Sequence, residues 1–296
     1  MNIESVAIIG AGPAGLATAL QLKRYGLTAL LLERDQVGGL LRNACRVENY
    51  PGFPAGIRGA DLVRLFAQQA KTASVEVTFE EVTELAHTDG YFRVTTGNHA
   101  YRSRTVVIAS GTKPKTLAEL PIPESVQDRV LYETYPIAQI TGKRIAIIGA
   151  GDAAFDYALS LCRNNHVVIL NRGDNTRCLP LLRERAAASA RITYRARTCL
   201  LEVVDAPERR MLLRCSGPDG VSRLQVDFLI GAIGREPRLE FVAKPLSENV
   251  RDLEGRGLLY CVGDVKNGSF RQTAIAVGDG ILAAMRIYQS TQETSR

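Results

Sequence analysis

A short apolar strand that runs into a glycine-spaced turn and then a helix leaves a chain very few folds, and this sequence contains that arrangement twice. Residues 6–9 are apolar and meet Gly10-Ala11-Gly12-Pro13-Ala14-Gly15. Helix-spaced apolar residues continue to Tyr25, and a second apolar run follows at 29–32. Strand, tight turn, helix and parallel strand make one half of a dinucleotide-binding fold. One glycine permits the turn, one lets the backbone approach a pyrophosphate and one lets the helix pack on the strand, while the helix N-terminus offers N–H groups to an anion. Glu33 stands about twenty residues past the turn, where a carboxylate accepts hydrogen bonds from a ribose.

The second copy, over 144–161, carries Gly149-Ala150-Gly151-Asp152-Ala153-Ala154, with alanine in place of the third glycine. Its next strand, 167–170, ends in Asn171 and Arg172, and Arg177 follows. A carboxylate there would repel a 2′-phosphate, whereas guanidinium groups pair with it. The two turns therefore suit two different dinucleotides, one resident and one diffusible.

A length of 296 residues with 46% hydrophobic and 23% charged residues fits a soluble chain of two domains. No run reaches the length of a membrane helix, and the N-terminus has an early acid, Glu4, and no early Lys or Arg, unlike a signal peptide. A cytoplasmic protein with reduced thiols is expected. Cys45, Cys162, Cys178, Cys199, Cys215 and Cys261 include no pair at CxxC spacing and no metal-like cluster with the three histidines. The net charge of +6 is spread along the chain without an aromatic-basic module, so neither nucleic acid nor membrane is an expected partner.

Near the C-terminus LLYCVGDV precedes SFRQTAIAVGDG. A strand ending in Gly263-Asp264 places a carboxylate at a ribityl or ribose hydroxyl. A helix opening near Arg271-Gln272-Thr273 points its positive end at what lies before it, and an isoalloxazine ring, which gains negative charge on reduction, is a fitting target. These residues lie far from the first turn, which implies one domain split around the other.

With these motifs in order, GAGPAG, GGLLRNACRVENYPGFP, the ASG turn, GAGDAA, CVGDV and SFRQTAIAVGDG, the chain resembles the low-molecular-weight thioredoxin reductase-like flavoproteins over nearly its whole length. The resemblance implies an α/β fold of two Rossmann-like domains. The FAD-binding domain would comprise 1–113 and 246–296, with an NAD(P)H-binding domain, 114–245, inserted into it. It also implies a homodimer and hydride transfer from nicotinamide to flavin. For FAD it points to Gly10, Gly12, Pro13, Ala14, Gly15, Glu33, Gly38, Gly39, Leu40, Asn49, Gly111, Asp264, Arg271, Gln272 and Thr273. For NADPH, with NADH as the alternative, it points to Gly149, Gly151, Asp152, Ala153, Ala154, Asn171, Arg172, Arg177 and Gly234.

The departures decide the function. Thioredoxin reductases carry a CxxC pair shortly before the second glycine turn, and here that stretch is VLYETYPIAQITGKRIAIIG, without cysteine. Glu133 and Tyr135 are candidate lining residues in its place, and Cys45 is the candidate thiol near the flavin. Gly173 stands where the family usually has a further arginine, and the stretch between Gly234 and Gly263 is short. The reading is an oxidoreductase passing electrons from NADPH through FAD to a non-dithiol acceptor, a small molecule or a small electron carrier. The alternatives are a ferredoxin- or flavodoxin-NADP reductase, a single-cysteine disulfide or peroxide reductase working through Cys45, and a non-catalytic flavin sensor.

Overall fold

In the computed structural model, which describes residues 3–207 and 210–294, the chain divides into two compact units. The first comprises Met1–Arg42, Val47–Lys113 and Glu236–Arg296, and the second Asn43–Arg46 with Pro114–Arg235. The chain re-enters the first unit at 236, ten residues before the boundary expected from the sequence. The reason lies in residues 236–245: Leu85 N donates to Phe241 O at 2.7 Å, Ala243 N to Leu85 O at 2.9 Å, and Lys113 Nζ pairs with Glu240 at 2.7 Å. Those contacts all belong to the first unit.

The first unit is built on a seven-stranded sheet. Strand Ile3–Ile9 pairs in parallel with Leu30–Glu33 on one side, Ile8 opposite Leu31, and with Ala100–Ile108 on the other, Ile8 opposite Val107. The nine-residue strand Ala100–Ile108 divides its other edge between two partners. Its first half pairs antiparallel with Tyr91–Thr96, which continues the meander to Val82–Thr88, and its last three residues pair in parallel with Leu259–Cys261. Alternate side chains of the first strand enter different cores, as the two-residue repeat of a strand requires. Val6 and Ile8 face helix Pro13–Arg24 and the C-terminal helix Thr273–Thr294, whereas Ala7 and Ile9 face Leu85, Phe92 and Val94 of the meander. Residues 244–255 form two short helices, Lys244–Glu248 and Val250–Gly255, and their Leu246 and Leu253 close that second core.

The second unit repeats the plan with a five-stranded parallel sheet in the order Ile192–Arg195, His166–Leu170, Arg144–Ile148, Phe228–Gly231, Val130–Leu131. Ile145 and Ile147 pack on helix Asp152–Leu161 through Phe155, Ala158 and Leu161. Ala146 faces the other way, onto the antiparallel meander Cys199–Ala206, Arg210–Gly217 and Gly220–Val226, through Met211, Leu213 and Cys215.

Helices Pro13–Arg24 and Thr273–Thr294 meet closely in the first unit, and Tyr25 stacks on Tyr288 with ring centroids 4.2 Å apart. The approach depends on Gly280, where an added Cβ would collide with the carbonyl of Ala14 and stand 3.0 Å from Thr18 Oγ1. Helix propensity alone makes Gly→Ala stabilising by about 1 kcal/mol, while forcing a methyl into a packed contact costs about 1–3 kcal/mol. Because the obstacle is backbone, the clash should win. Gly280→Ala is expected to lower stability by about 1–2 kcal/mol in denaturant titration, and a gain would contradict this packing.

Candidate functional site

The three glycines of the first turn differ in what surrounds them. Gly10 has φ +105° and donates its N–H to Leu32 O at 2.8 Å, and a side chain there would meet the carbonyl of Ala109. A Cβ at Gly15 would drive into Gly10 O, so this glycine sets the distance between helix and strand. Gly12 is the residue before the helix, followed by Pro13 in its first turn, and nothing lies within 4 Å of where its Cβ would be. That open side, at a helix end whose first N–H groups have no partner within the helix, is what an anion needs. Glu33 is buried, with Oε2 accepting from Ala11 N at 2.8 Å and Oε1 from Asp35 N at 3.0 Å. The acid thus holds the turn itself, and each oxygen retains a lone pair for a hydroxyl.

The other residues expected at this site come to it from four parts of the chain. Gly38 donates to Ala11 O at 2.9 Å, and the Cβ position of Gly39 is 3.5 Å from Gly12 Cα, so the loop carrying Leu40 lies against the turn. Gly263, at φ +74°, packs against Ala14 and Ala276, bringing Asp264 to the same end of the sheet. Asn49 Nδ2 donates to Gln272 Oε1 at 2.8 Å, joining two residues 223 positions apart just before helix Thr273–Thr294, beside Arg271 and Thr273. Gly111 has φ +64°, and its carbonyl accepts from Arg238 N at 3.1 Å. Asp279 escaped the sequence reading. Its Oδ2 accepts from Gly263 N at 3.0 Å and Asn267 Nδ2 at 2.6 Å, fixing the turn that carries Asp264.

In the second turn Gly149 has φ +131°, and a Cβ would collide with Ala232 O, while Gly151 is as open as Gly12. Ala154, fully buried, takes the position of Gly15, and Ala153 is exposed. Asp152 Oδ1 accepts from Leu179 N at 2.7 Å, and Arg177 N donates to Ala150 O at 2.8 Å, so the segment after the second strand is laced to the turn. Asn171 differs from expectation. Its side chain is buried and turned inward, with Nδ2 donating to Tyr194 Oη at 2.8 Å and Asn175 O at 3.2 Å, and Oδ1 accepting from Gly173 N. It shapes the loop, whereas Arg172 and Arg177 are exposed. Arg197, not singled out by the sequence, donates its N–H to Gly173 O at 3.0 Å and pairs with Asp174 at 3.3 Å. It places a guanidinium beside the position where Gly173 lacks one. Gly234, at φ +116°, accepts from Lys115 N at 3.0 Å.

The remaining candidates sit in a polar network of the second unit. Asn43 Oδ1 accepts from Thr134 N at 3.1 Å and Tyr135 N at 2.9 Å, and its Nδ2 donates to Glu133 Oε2 at 3.2 Å. Arg235 Nη2 stands 3.4 Å from Glu133 Oε1. Tyr157, close to this pair, is buried, which pushes its phenol up to about 12 and keeps it neutral. Tyr135 is 41% exposed, and its backbone N–H is held by Asn43. Cys45 N donates to Asp156 Oδ2 at 2.9 Å. Burial and then the Asp156 charge raise the Cys45 thiol above its ordinary value, against the opposing pull of Arg163, so the sulfur is protonated at neutral pH and is not an activated nucleophile. Burial raises Asp156 in turn to about 6, despite hydrogen bonds from the backbone of Cys45 and Arg46. Neither Asn43 nor Asp156 had a local signal, since an Asn in a loop and an Asp in a helix are ordinary until the fold brings them to 133–135 and 45.

The pyridine nucleotide-disulphide oxidoreductase family model matches residues 4–280. The chain belongs to that family. Within it, the chain is 30% identical over 304 residues to a thioredoxin reductase of Listeria innocua, covering 99% of this chain and 95% of that protein. Among solved structures of the family it is similar to Lactococcus lactis thioredoxin reductase, with TM-score 0.85, 28% identity and coverage of 98% and 99% of the two chains. It is also similar to T. acidophilum thioredoxin reductase, with TM-score 0.82, 26% identity and coverage of 97% and 98%. The α/β fold is that of these thioredoxin reductase structures.

A carboxyl whose folded pKa is raised from 3.8 to about 6 gives its full stability below pH 4 and loses it as pH climbs through 6. Asp156→Asn keeps an acceptor for Cys45 N and removes the buried charge. Relative to wild type it should gain about 1–2 kcal/mol between pH 4 and pH 8, a range discounted for partial exposure from the about 1.4 kcal/mol that accompanies each pH unit by which the carboxyl is raised. Denaturant midpoints measured across that range should show the divergence, and a difference that stays flat would remove the assignment.

Proposed function

We propose that the protein is a flavoenzyme of this family that moves electrons from NADPH, through FAD held by the first unit, to an acceptor that is not a dithiol. The single observation that carries this reading is the cysteine pattern: no two cysteines are three positions apart, and 130–149 contains none. Thioredoxin reductases use FAD and NADPH, and the two open glycine turns support the same pair here. When bound, FAD accepts two electrons from a reduced nicotinamide and returns them to an acceptor.

The chain's own residues bind and orient. The turn at Gly12, with Gly38 and Gly39 against it, would take the pyrophosphate of FAD at the helix N-terminus. Glu33 and Asp264 would accept from ribose and ribityl hydroxyls, and the Asn49–Gln272 pair would present a fixed polar edge at the start of the last helix. In the second unit Gly151 would take the pyrophosphate of NADPH, and Arg172 and Arg177, aided by Arg197, would meet the 2′-phosphate, a contact NADH cannot make. The neutral Tyr157 holds its phenolic proton close to Glu133, whose carboxylate Asn43 and Arg235 fix in place, which suits proton supply to a reduced acceptor. The raised thiol of Cys45 argues against the single-cysteine alternative.

The proposal extends to a homodimer. Ile275, Leu282 and Met285 form an exposed apolar stripe on the last helix at spacings of seven and three residues. No helix of the described residues is long and apolar enough to cross a membrane, and the proposed place of action is the cytoplasm. The acceptor is a small molecule or a small electron carrier. The basic surface favours an acidic carrier, which makes ferredoxin- or flavodoxin-NADP reduction the second reading.

Two measurements test this. Gly12→Val should fold, since its side chain meets open space, yet lose FAD because that space is the pyrophosphate's; unchanged apoprotein stability with lost yellow colour is the expected pair. Stoichiometric FAD in the variant would refute the site. Anaerobic titration with NADPH should consume two electrons per flavin and stop, with thioredoxin not turned over. Uptake of four electrons, or thioredoxin turnover abolished by Cys45→Ser, would overturn the non-dithiol reading.

A further inference from the structure

The segment after strand His166–Leu170 carries two exposed arginines, Arg172 and Arg177, with one carboxylate between them, Asp174. Among the described residues the ion-pair partner of Asp174 is neither of these. Its Oδ1 stands 3.3 Å from Nε of Arg197, in the turn after strand Ile192–Arg195. Three backbone hydrogen bonds clamp that turn to the segment: Asn171 N donates to Arg195 O at 2.9 Å, Arg197 N to Gly173 O at 3.0 Å and Thr198 N to Asn171 O at 2.8 Å. Arg197 is held at φ +48°, left-handed backbone that a residue with a Cβ adopts at a cost and that glycine or asparagine takes more readily. Gly173 is not in that region, and a Cβ on it would meet nothing nearer than Asn171 Oδ1 at 3.8 Å. The strained position thus holds a guanidinium and the relaxed one holds no side chain, so the charge of Arg197, not the demands of its turn, accounts for an arginine there.

The side chains of this pair are 65% and 73% exposed, so the ion pair is weak and readily exchanged. A dianionic phosphate outcompetes one carboxylate for a guanidinium by its charge and its three acceptor oxygens. To do so it must come close to the negative charge of Asp174. We propose that Asp174 is a specificity-determining residue of the second nucleotide turn, an internal counter-ion that occupies Arg197 until a 2′-phosphate displaces it and that holds down the preference for NADPH over NADH. NADH brings no anion to that place and leaves the pair intact. The role of Asp174 rests on the reading of Arg172 and Arg177 as the 2′-phosphate end of the site, to which it adds a carboxylate that works against the phosphate.

The test is calorimetric titration of the full-length protein, saturated with FAD to occupy the first turn, with 2′,5′-ADP and 5′-ADP as probes. Neither probe carries a nicotinamide, so turnover plays no part. Asp174→Asn, an exposed and nearly isosteric change, should tighten 2′,5′-ADP about three- to tenfold and leave 5′-ADP unchanged. Arg197→Gln should weaken 2′,5′-ADP about tenfold, again without effect on 5′-ADP. In that background Asp174→Asn should gain less than in the wild type, because the counter-ion no longer has a partner to release. Thermal midpoints check the fold of each variant independently. An Asp174→Asn variant with unchanged affinity for 2′,5′-ADP, or with the same change for both probes, would overturn the role of Asp174. If the wild type still discriminates between the probes and Arg172→Gln removes that discrimination, the NADPH reading stands without it. Equal binding of the two probes by the wild type would overturn the NADPH reading, and the role of Asp174 with it.

Discussion

Backbone carbonyls brought against backbone at van der Waals range organise the first unit. Gly15 lets the first helix lie on Gly10 O, and Gly280 lets the last helix lie on Ala14 O, so sheet, first helix and last helix are spaced by two missing side chains. Each approach leaves a helix end or turn open toward the same side: Gly12 from the first contact, and from the second the start of the last helix, with Asn49 tied to Gln272. The second unit sets Gly149 against Ala232 O as the first sets Gly10 against Ala109 O, but fills the position of Gly15 with Ala154. Two nucleotide-type turns with the same strand-end geometry thus differ in what surrounds them, acid-braced at Glu33 and arginine-flanked at Arg172 and Arg177.

The elements that the sequence made legible are those whose signal is local. The apolar run, the glycine spacing and Glu33 lie within thirty residues, and Gly10 and Gly15 are each required for a reason visible in a φ or a missing Cβ, while Gly12 leaves its side of the turn open. What stayed hidden depends on long-range assembly. Asn171 reads as a polar residue at a strand tip, yet Tyr194 on the neighbouring strand draws it inward. Arg197 reads as one basic residue among many until its backbone N–H, donated to Gly173 O, puts it beside Gly173. The return at 236 rather than 246 rests on Leu85 pairing with 241–243, a bridge between segments more than 150 residues apart that no periodicity announces.

The chemistry of the second unit is set by burial more than by charge count. Desolvation raises Tyr157, Cys45 and Asp156 alike, which keeps the phenol and the thiol neutral at pH 7 while Asp156, at about 6, still ionises there, and Glu133 and Arg235 face each other. A neutral phenol beside an ion pair is suited to passing a proton without storing a net charge. It is poorly suited to thiolate chemistry, which needs a stabilised anion.

The divided edge of strand Ala100–Ile108 has a consequence for how the chain is made. Its last three residues find their neighbour only in Leu259–Cys261, and the core facing Val6 and Ile8 is closed only by the helix that follows. During synthesis from the N-terminus the first 113 residues therefore emerge with an unpaired strand edge and an uncovered apolar face, and remain so while the intervening domain is being translated. The inserted unit, nearly all of it contiguous, can acquire its own sheet in that interval. Folding order is in this way opposite to sequence order: the part begun first is finished last.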